Sequence, residues 1–579
     1  KGERAKIAKI FFLGDKKIKE KRLRDIITSQ ENKFWKFISK SVFLNKGRIE
    51  LDKRLLKSYY KNKGYYEVQV SSSNVEYSEG DGFILTFSIN AGERYKFKKI
   101  SLEVSEALDK SAFSSLEKEF DKIVGDYYSV NKIKKVLDKI DKLSELKELQ
   151  FINHRVIDSL GKDTVDIKIQ TYEVDQCIIE RINVVGNSIT NDSVIRSEMI
   201  VDEGDPFSVL LVNKSINRLK GRGIFGTVEQ KILEGSKPDL KVLEISVEER
   251  ATGEISAGAG VGTDGTAFMA AITENNWLGR GIKLRSNLSV SSTNVSGGLA
   301  VSNPNFNYSG NAVRANIDVS TADLKTTSGY ASSKTGFGLG TSFEQYENIY
   351  ISPGLSMSVE DIKVQSDASD RIKKMGGDYF NMDFDYAIIL DKRNQSWQPT
   401  DGYRTKFYQS IPLVVDSSSL LNTFEYSGYH SLSDDMIGSI KFLASSINGL
   451  QGEDTRLTSR LFLPQKRIRG FDSRKVGPKD GINYVGGNYA TALSFEASLP
   501  NLLPETTKTD ISIFMDNANV WHVDYSNALS DSSKLRSSVG VAANVWTPVG
   551  PLSFVLAQDL SKADTDETQG FRFNIGTSF

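Results

Sequence analysis

The chain has almost no cysteine and almost no histidine. A single cysteine, Cys177, excludes an intrachain disulfide and leaves the redox compartment open. The three histidines, His154, His430 and His522, are scattered without ligand spacing, so no metal site is expected. No run of about 18 apolar residues occurs, which excludes a transmembrane helix but not a membrane barrel, whose strands need only about 9–11 alternating residues each. Neither sign of charge is in excess: 74 basic and 74 acidic residues give a formal net charge of zero. With no basic stripe interleaved with aromatics, nothing points to nucleic acid. G-x-S-x-G, P-loop and H-E-x-x-H motifs are missing, so no enzyme, nucleotide site or cofactor is expected. No signal peptide opens the chain: Lys1-Gly2-Glu3-Arg4 leads straight into strand-like sequence, which reads as a mature or trimmed piece.

What is present changes character near Thr252. Before it, lysine-rich amphipathic helices alternate with short strands; after it the chain is rich in Gly, Ser, Asn and aromatics. The first half repeats itself. Phe11-Phe12-Leu13-Gly14-Asp15 is similar to Ile182-Asn183-Val184-Val185-Gly186-Asn187, a short strand and then a glycine turn. Helix-like segments follow at Lys21–Ile27 and Asp192–Met199. Second helices, Leu55–Lys63 and Val212–Arg222, stop at Gly64 and Gly223, where glycine takes the left-handed cap conformation. A less regular middle copy has strands near Ile100–Val104 and Val165–Tyr172 around a helix near Val130–Leu143. The unit is strand-helix-helix-strand-strand, roughly 75–90 residues long and present about three times. A small three-stranded sheet has an open edge to which an extended chain can add through main-chain hydrogen bonds, with little dependence on sequence.

The second half alternates. Phe571, Phe573, Ile575, Thr577 and Phe579 share one face of a strand, while Arg572, Asn574, Gly576 and Ser578 share the other. Phe380, Met382, Phe384, Tyr386, Ile388 and Leu390 face away from Asn381, Asp383 and Asp385; Phe495 and Ala497 face away from Glu496; Ile513 and Met515 face away from Asp516. Acidic residues opposite grease suit a wall between lipid and a wet lumen. At about 20 residues per strand and turn, this half holds on the order of 16 strands. The first strand is unusual: Ile255, Ala257, Ala259 and Val261 alternate with Gly258, Gly260 and Gly262, and glycine weakens a strand. In a closed barrel it must meet the last one, so a lateral seam is expected between Ile255–Val261 and Phe571–Phe579.

The strand-helix-helix-strand-strand units resemble polypeptide-transport-associated (POTRA) domains. Arg469-Gly470-Phe471 followed by Val476-Gly477-Pro478 resembles the large barrel-filling loop of outer-membrane assembly factors of the BamA type. Gly486-Gly487-Asn488 with Glu496 and Pro500 is similar to that family's next strand. Phe514–Trp521 resembles its F-x-D-x-G-x-V-W motif, with Ala518 where glycine is usual. Leu535-Arg536, the run Trp546–Leu552, Asn276–Gly279, Asp391–Asn394, Pro399–Gly402 and the terminal Phe579 also fit. Phe34–Phe37 resembles part of the third of five POTRA domains, so the resemblance implies that two are missing upstream.

The family then implies α+β POTRA domains at 1–95, 96–174 and 175–250, followed by an all-β transmembrane antiparallel barrel over 251–579 with an inward-folded loop around 464–480. It implies that Arg469 is paired with Glu496 and Asp516 on the inner wall. It further implies an outer-membrane location with POTRA domains in the periplasm. Its partners would be unfolded outer-membrane β-barrel proteins, accessory assembly lipoproteins and the lipid bilayer. The related three-POTRA translocation and assembly factor, a two-partner secretion pore and an outer-membrane hydrolase stand as alternatives.

Overall fold

The structure, a computed structural model, describes residues 6–32, 43–78, 82–106, 108, 110–146, 152–173, 177–263, 265–396, 399–433, 436–499, 508–526, 529, 534–547 and 550–575. Phe34–Phe37, Pro500, Pro548, Val549 and Phe579 lie outside them. Two compact units emerge: Lys1–Ser188 with Glu198–Arg250, and Ile189–Ser197 with Ala251–Phe579.

The first half carries three copies of one sheet. The first has strands β1 (Ile7–Asp15), β2 (Gln69–Ser78) and β3 (Gly82–Asn90) with helices α1 (Glu20–Ile26) and α2 (Lys46–Asn62). The second has β4 (Lys96–Val104), β5 (Ile152–Leu160) and β6 (Thr164–Glu173) with α3 (Glu117–Asp121) and α4 (Val130–Leu146). The third sheet is β7 (Ile178–Val185), β8 (Phe225–Glu234) and β9 (Leu240–Glu249), with helix α6 (Val209–Gly221), while the intervening short helix α5 (Asp192–Arg196) falls in the second unit. In each sheet the last strand is central, parallel to the first and antiparallel to the second. Both outer strands are therefore sheet edges.

Local sequence explains the modules. Asn45 caps α2 by accepting the Arg48 N–H at 3.0 Å, and Ile49, Asp52, Leu56 and Tyr60 form its buried face at helical spacing. Asp52, fully buried, accepts the Ser29 N–H at 3.2 Å and the Thr28 hydroxyl at 2.7 Å, so its charge meets donors rather than grease. Gly64 and Gly223, at φ +101° and +67°, end α2 and α6 in the left-handed region.

The second half is a closed antiparallel barrel of sixteen strands among the described residues. They are β10 (Gly253–Gly262), β11 (Gly265–Trp277), β12 (Ile282–Ser291), β13 (Asn294–Asn303), β14 (Ala312–Leu324), β15 (Tyr330–Tyr346), β16 (Ile349–Val364) and β17 (Gly377–Asp391). Then follow β18 (Gly402–Val415), β19 (Ser419–Ser433) and β20 (Met436–Gly449). A long loop carrying a two-residue ribbon, β21 (Lys479–Asp480) and β22 (Asn483–Tyr484), comes next. The barrel resumes with β23 (Tyr489–Leu499), β24 (Lys508–Trp521), β25 (Arg536–Thr547), β26 (Gly550–Ser561) and β27 (Phe571–Ile575).

Period-two alternation sorts the side chains. Ile255, Phe268, Ile272, Leu288, Ile317, Phe337, Met357, Ile440, Phe495, Ile513, Val539 and Phe571 are all exposed on the wall. An exposed apolar belt of this extent is not sustainable in water and needs a lipid solvent. The opposite face carries Asp383, Asp385, Glu425, Lys441, Glu496 and Asp516.

Candidate functional site

The loop between β20 and β23 supplies seven cations between residues 456 and 475 and one acid, Asp472. Inside a barrel each of these charges needs a partner, because an unpaired buried charge costs several kcal/mol. The wall provides them. Arg469 makes a bidentate fork to Asp516, Nε to Oδ2 and Nη2 to Oδ1, both at 2.8 Å, and its backbone N–H donates to Oδ2 at 3.0 Å. Its Nη1 lies 3.6 Å from Glu496 Oε2, and its guanidinium stacks 3.5 Å from the Phe514 ring centroid. Glu496 and Asp516 meet one guanidinium because of register: Phe514 is opposite Glu496 and Asp516 is opposite Ser494, so the two carboxylates are diagonal neighbours on one face. Lys441 also reaches Glu496, at 3.1 Å.

Gly470 and Phe471 complete the anchor. Gly470 has φ +92°, and a Cβ there would stand 2.9 Å from the Ala557 Cβ, so the backbone approaches the wall as only glycine permits. Phe471, 1 % exposed, packs with Leu463, Ile468 and Val476 against the small wall residues Ala490, Ala492 and Ala518. The alanine at 518 fits this socket: its methyl is buried and its strand is unbroken.

Other grips escaped the sequence reading. Arg456 donates to Asn381 at 2.6 Å and stacks on Tyr379; Arg467 donates to Glu425 at 3.3 Å; Arg474 donates to the Tyr330 hydroxyl at 3.3 Å. Arg460 donates to Asn488 at 2.6 Å and pairs with Asp524. Burial would raise the Asp524 carboxyl, but Arg460, the Asn488 amide and the Thr455 N–H outweigh it and hold it at about 2. Arg536, on the wall rather than the loop, is fully buried and forks to Asp566 at 2.8 and 3.1 Å. The excess of cations in the loop was the available signal for the first four. Nothing local marks Arg536 and Asp566 as partners.

All ten residues of β10 lie in register with β11, Ile255, Ala257, Gly258 and Gly260 among them. Among the described residues of β27, Ile575 pairs with Val261 and Asn574 with Gly262, and the Thr263 N–H donates to the Phe573 carbonyl at 3.1 Å. Residues 576–579, to which the expected pairing of β10 would continue, lie outside the described residues. Phe571 and Phe573 pair with β26, opposite Leu556 and Phe554. Phe579 lies outside the described residues.

A sixteen-stranded barrel with an apolar outer belt and an arginine-pinned loop in its lumen, preceded by POTRA-type modules, defines a POTRA–barrel membrane protein. The chain belongs to the Omp85 superfamily: the Omp85 superfamily domain matches residues 276–579, and the POTRA model (surface antigen variable number repeat) matches 5–92 and 177–250. It is 26 % identical over 586 residues to the outer membrane protein assembly factor BamA of Neorickettsia risticii (strain Illinois), covering 99 % of this chain and 78 % of that one. It is 23 % identical to the BamA of Neisseria meningitidis serogroup B, covering 100 % of this chain and 79 % of that one. The crystal structure of Haemophilus ducreyi BamA lacking POTRA domains 1–3 superposes with a TM-score of 0.61 at 22 % identity, covering 84 % of this chain and all of that one.

Proposed function

We propose that this protein assists the folding and insertion of β-barrel proteins into a bacterial outer membrane, with its POTRA modules in the periplasm. The open edges of the modules bind unfolded barrel proteins and accessory assembly lipoproteins by strand addition. The seam between β10 and β27 then parts sideways, so that the exposed edge templates client strands. Nothing in this scheme needs a nucleotide or a metal; the client's own folding supplies the work. The observation that carries the reading is a closed sixteen-stranded barrel, among the described residues, following three small sheets with free edge strands, in a chain that matches the Omp85 superfamily domain over residues 276–579.

The test is a disulfide across the seam, Val261→Cys with Ile575→Cys in a Cys177→Ser background, in liposomes offered an unfolded barrel client. Oxidation is expected to stop client folding and reduction to restore it, with the barrel folded throughout. Full activity in the oxidised protein overturns the reading.

A further inference from the structure

The outward face of the wall is dented across β19, β20 and β23. Tyr403 lies opposite Gly428, Gly428 opposite Ile440, Ile440 opposite Phe495 and Phe495 opposite Met515, in one outward row. The next outward row runs His430, Gly438, Ala497 and Ile513. Three adjacent strands thus set two glycines and an alanine among large side chains, and the space left is about 730 Å³. Neither Gly428 nor Gly438 has the positive φ that would itself require glycine. A glycine inside a strand otherwise often marks close approach by a ligand. The Tyr426 hydroxyl lies over Gly428, 2.6 Å from where a Cβ would stand, and the Leu432 Cδ1 is 3.0 Å from the Cβ position of Gly438. At the mouth of the dent the His430 Nδ1 lies 3.3 Å from the Asp401 Oδ1, both side chains exposed. No lysine or arginine lines the dent among the described residues. β18 is the ninth strand of an antiparallel wall, so it starts at the end where β10 starts, and Asp401 places the mouth at that end.

We propose that this dent binds a phospholipid whose zwitterionic head carries a primary ammonium, taken from the leaflet at that end of the wall. An acyl chain lies over Gly428, Gly438 and Ala497, and the head sits on Asp401, His430 and the Tyr426 hydroxyl. The surroundings give the chain: the face belongs to the apolar belt, whose solvent is lipid, so acyl chain is the material in contact with it. A dent contacts a chain on its flanks as well as its floor and so buries more apolar area than a flush wall does. Charge gives the head. With its Nδ1–H turned to Asp401, the neutral imidazole of His430 presents Nε2 as an acceptor, so the carboxylate and the imidazole both accept from an ammonium. The Tyr426 hydroxyl is left to donate to the phosphate, at the level where tyrosine rings sit in a bilayer. An anionic head would call for lysine or arginine, which the dent lacks. The inference goes beyond the assembly reading and needs only that this face meets lipid.

The test uses the full chain in proteoliposomes containing phosphatidylethanolamine with a photoactivatable diazirine on one acyl chain, and maps the labelled residues after illumination. Labelling is expected to concentrate on β19, β20 and β23 over β14, β15 and β16, where Ile317, Phe337 and Met357 form an unbroken outward row. Gly438→Leu with Ala497→Phe fills the space with apolar side chains and is expected to abolish that excess, with gel mobility reporting that the barrel is folded. Asp401→Asn leaves the dent as it is and is expected to lower the labelling about two- to fivefold, the range of an exposed charge contact; it carries the test if the filled variant does not fold. The same diazirine chain on phosphatidylglycerol or phosphatidylcholine is expected to label the dent less, because neither head brings a primary ammonium. Even labelling round the wall, an excess that persists in the folded filled variant, unchanged labelling in Asp401→Asn, or equal labelling by the three heads overturns the proposal. So does crosslinking between copies of the chain through β19 and β20 in place of lipid. Client folding in the same liposomes keeps the two readings apart: a labelled dent in a protein that folds no client refutes the assembly reading alone, and even labelling in an active protein refutes the lipid site alone.

Discussion

At the scale of single residues the lumen is governed by charge pairing. Arg469 satisfies Asp516, which has no exposure of its own, through two parallel N–H···O bonds and one from the backbone. Lysine supplies a point charge rather than a planar fork, so Arg469→Lys is expected to keep the fold and lose loop register. Arg469→Ala strands the Asp516 carboxylate and is expected to cost about 3–5 kcal/mol. Thermal unfolding followed by gel mobility measures both. The socket for Phe471 is lined with alanine, so Ala492→Leu overpacks it at about 1–3 kcal/mol and is expected to lower the unfolding temperature in the same assay. Asp524 links the loop to pH. Its folded pKa of about 2 lies below its ordinary value of 3.8, so the stability it contributes is present above the ordinary value and lost as pH falls towards 2. Proteolysis of the loop near Arg460 is therefore expected to rise between about pH 4 and pH 2, and Asp524→Asn is expected to flatten that rise.

At the scale of elements the ladders of the wall differ in length. β16 has fourteen residues in register with β15 and fourteen with β17, against eight between β12 and β13. Backbone protection follows ladder length, so hydrogen exchange is expected to be slowest in β15–β17 and faster in β12 and β13. Uniform protection across these strands would overturn that expectation. The glycines of β10 add no side-chain packing to its ladder with β11.

At the scale of the whole molecule the outer belt decides the solvent. Phe495, Ile513 and Val539 stand exposed on neighbouring strands, and their register makes the belt continuous. Phe495→Arg is expected to destabilise the barrel by about 2–4 kcal/mol if this position sits near the bilayer midplane, measured as unfolding in urea from liposomes. The loop fills lumen space with salt-bridged side chains, so planar bilayers are expected to show no steady wide conductance. A secretion pore would give one.

The sequence by itself determined the class of fold. Alternation, the glycine-stopped helices and the repeat are local signals, and local signals survive in one dimension because each strand or helix has its own period. The resemblance on Arg469-Gly470-Phe471, Glu496 and Asp516 also named a cluster that does meet in space, because those residues lie within short motifs. Tertiary structure alone decided the remainder. Arg536 and Asp566 are 30 residues apart, Gly477 and Asp566 are 89 apart, and no periodicity relates them. The seam is the same kind of fact. How many residues of β10 find partners on β27 depends on where barrel closure sets the two strands against each other, and that stagger is a property of all sixteen strands together.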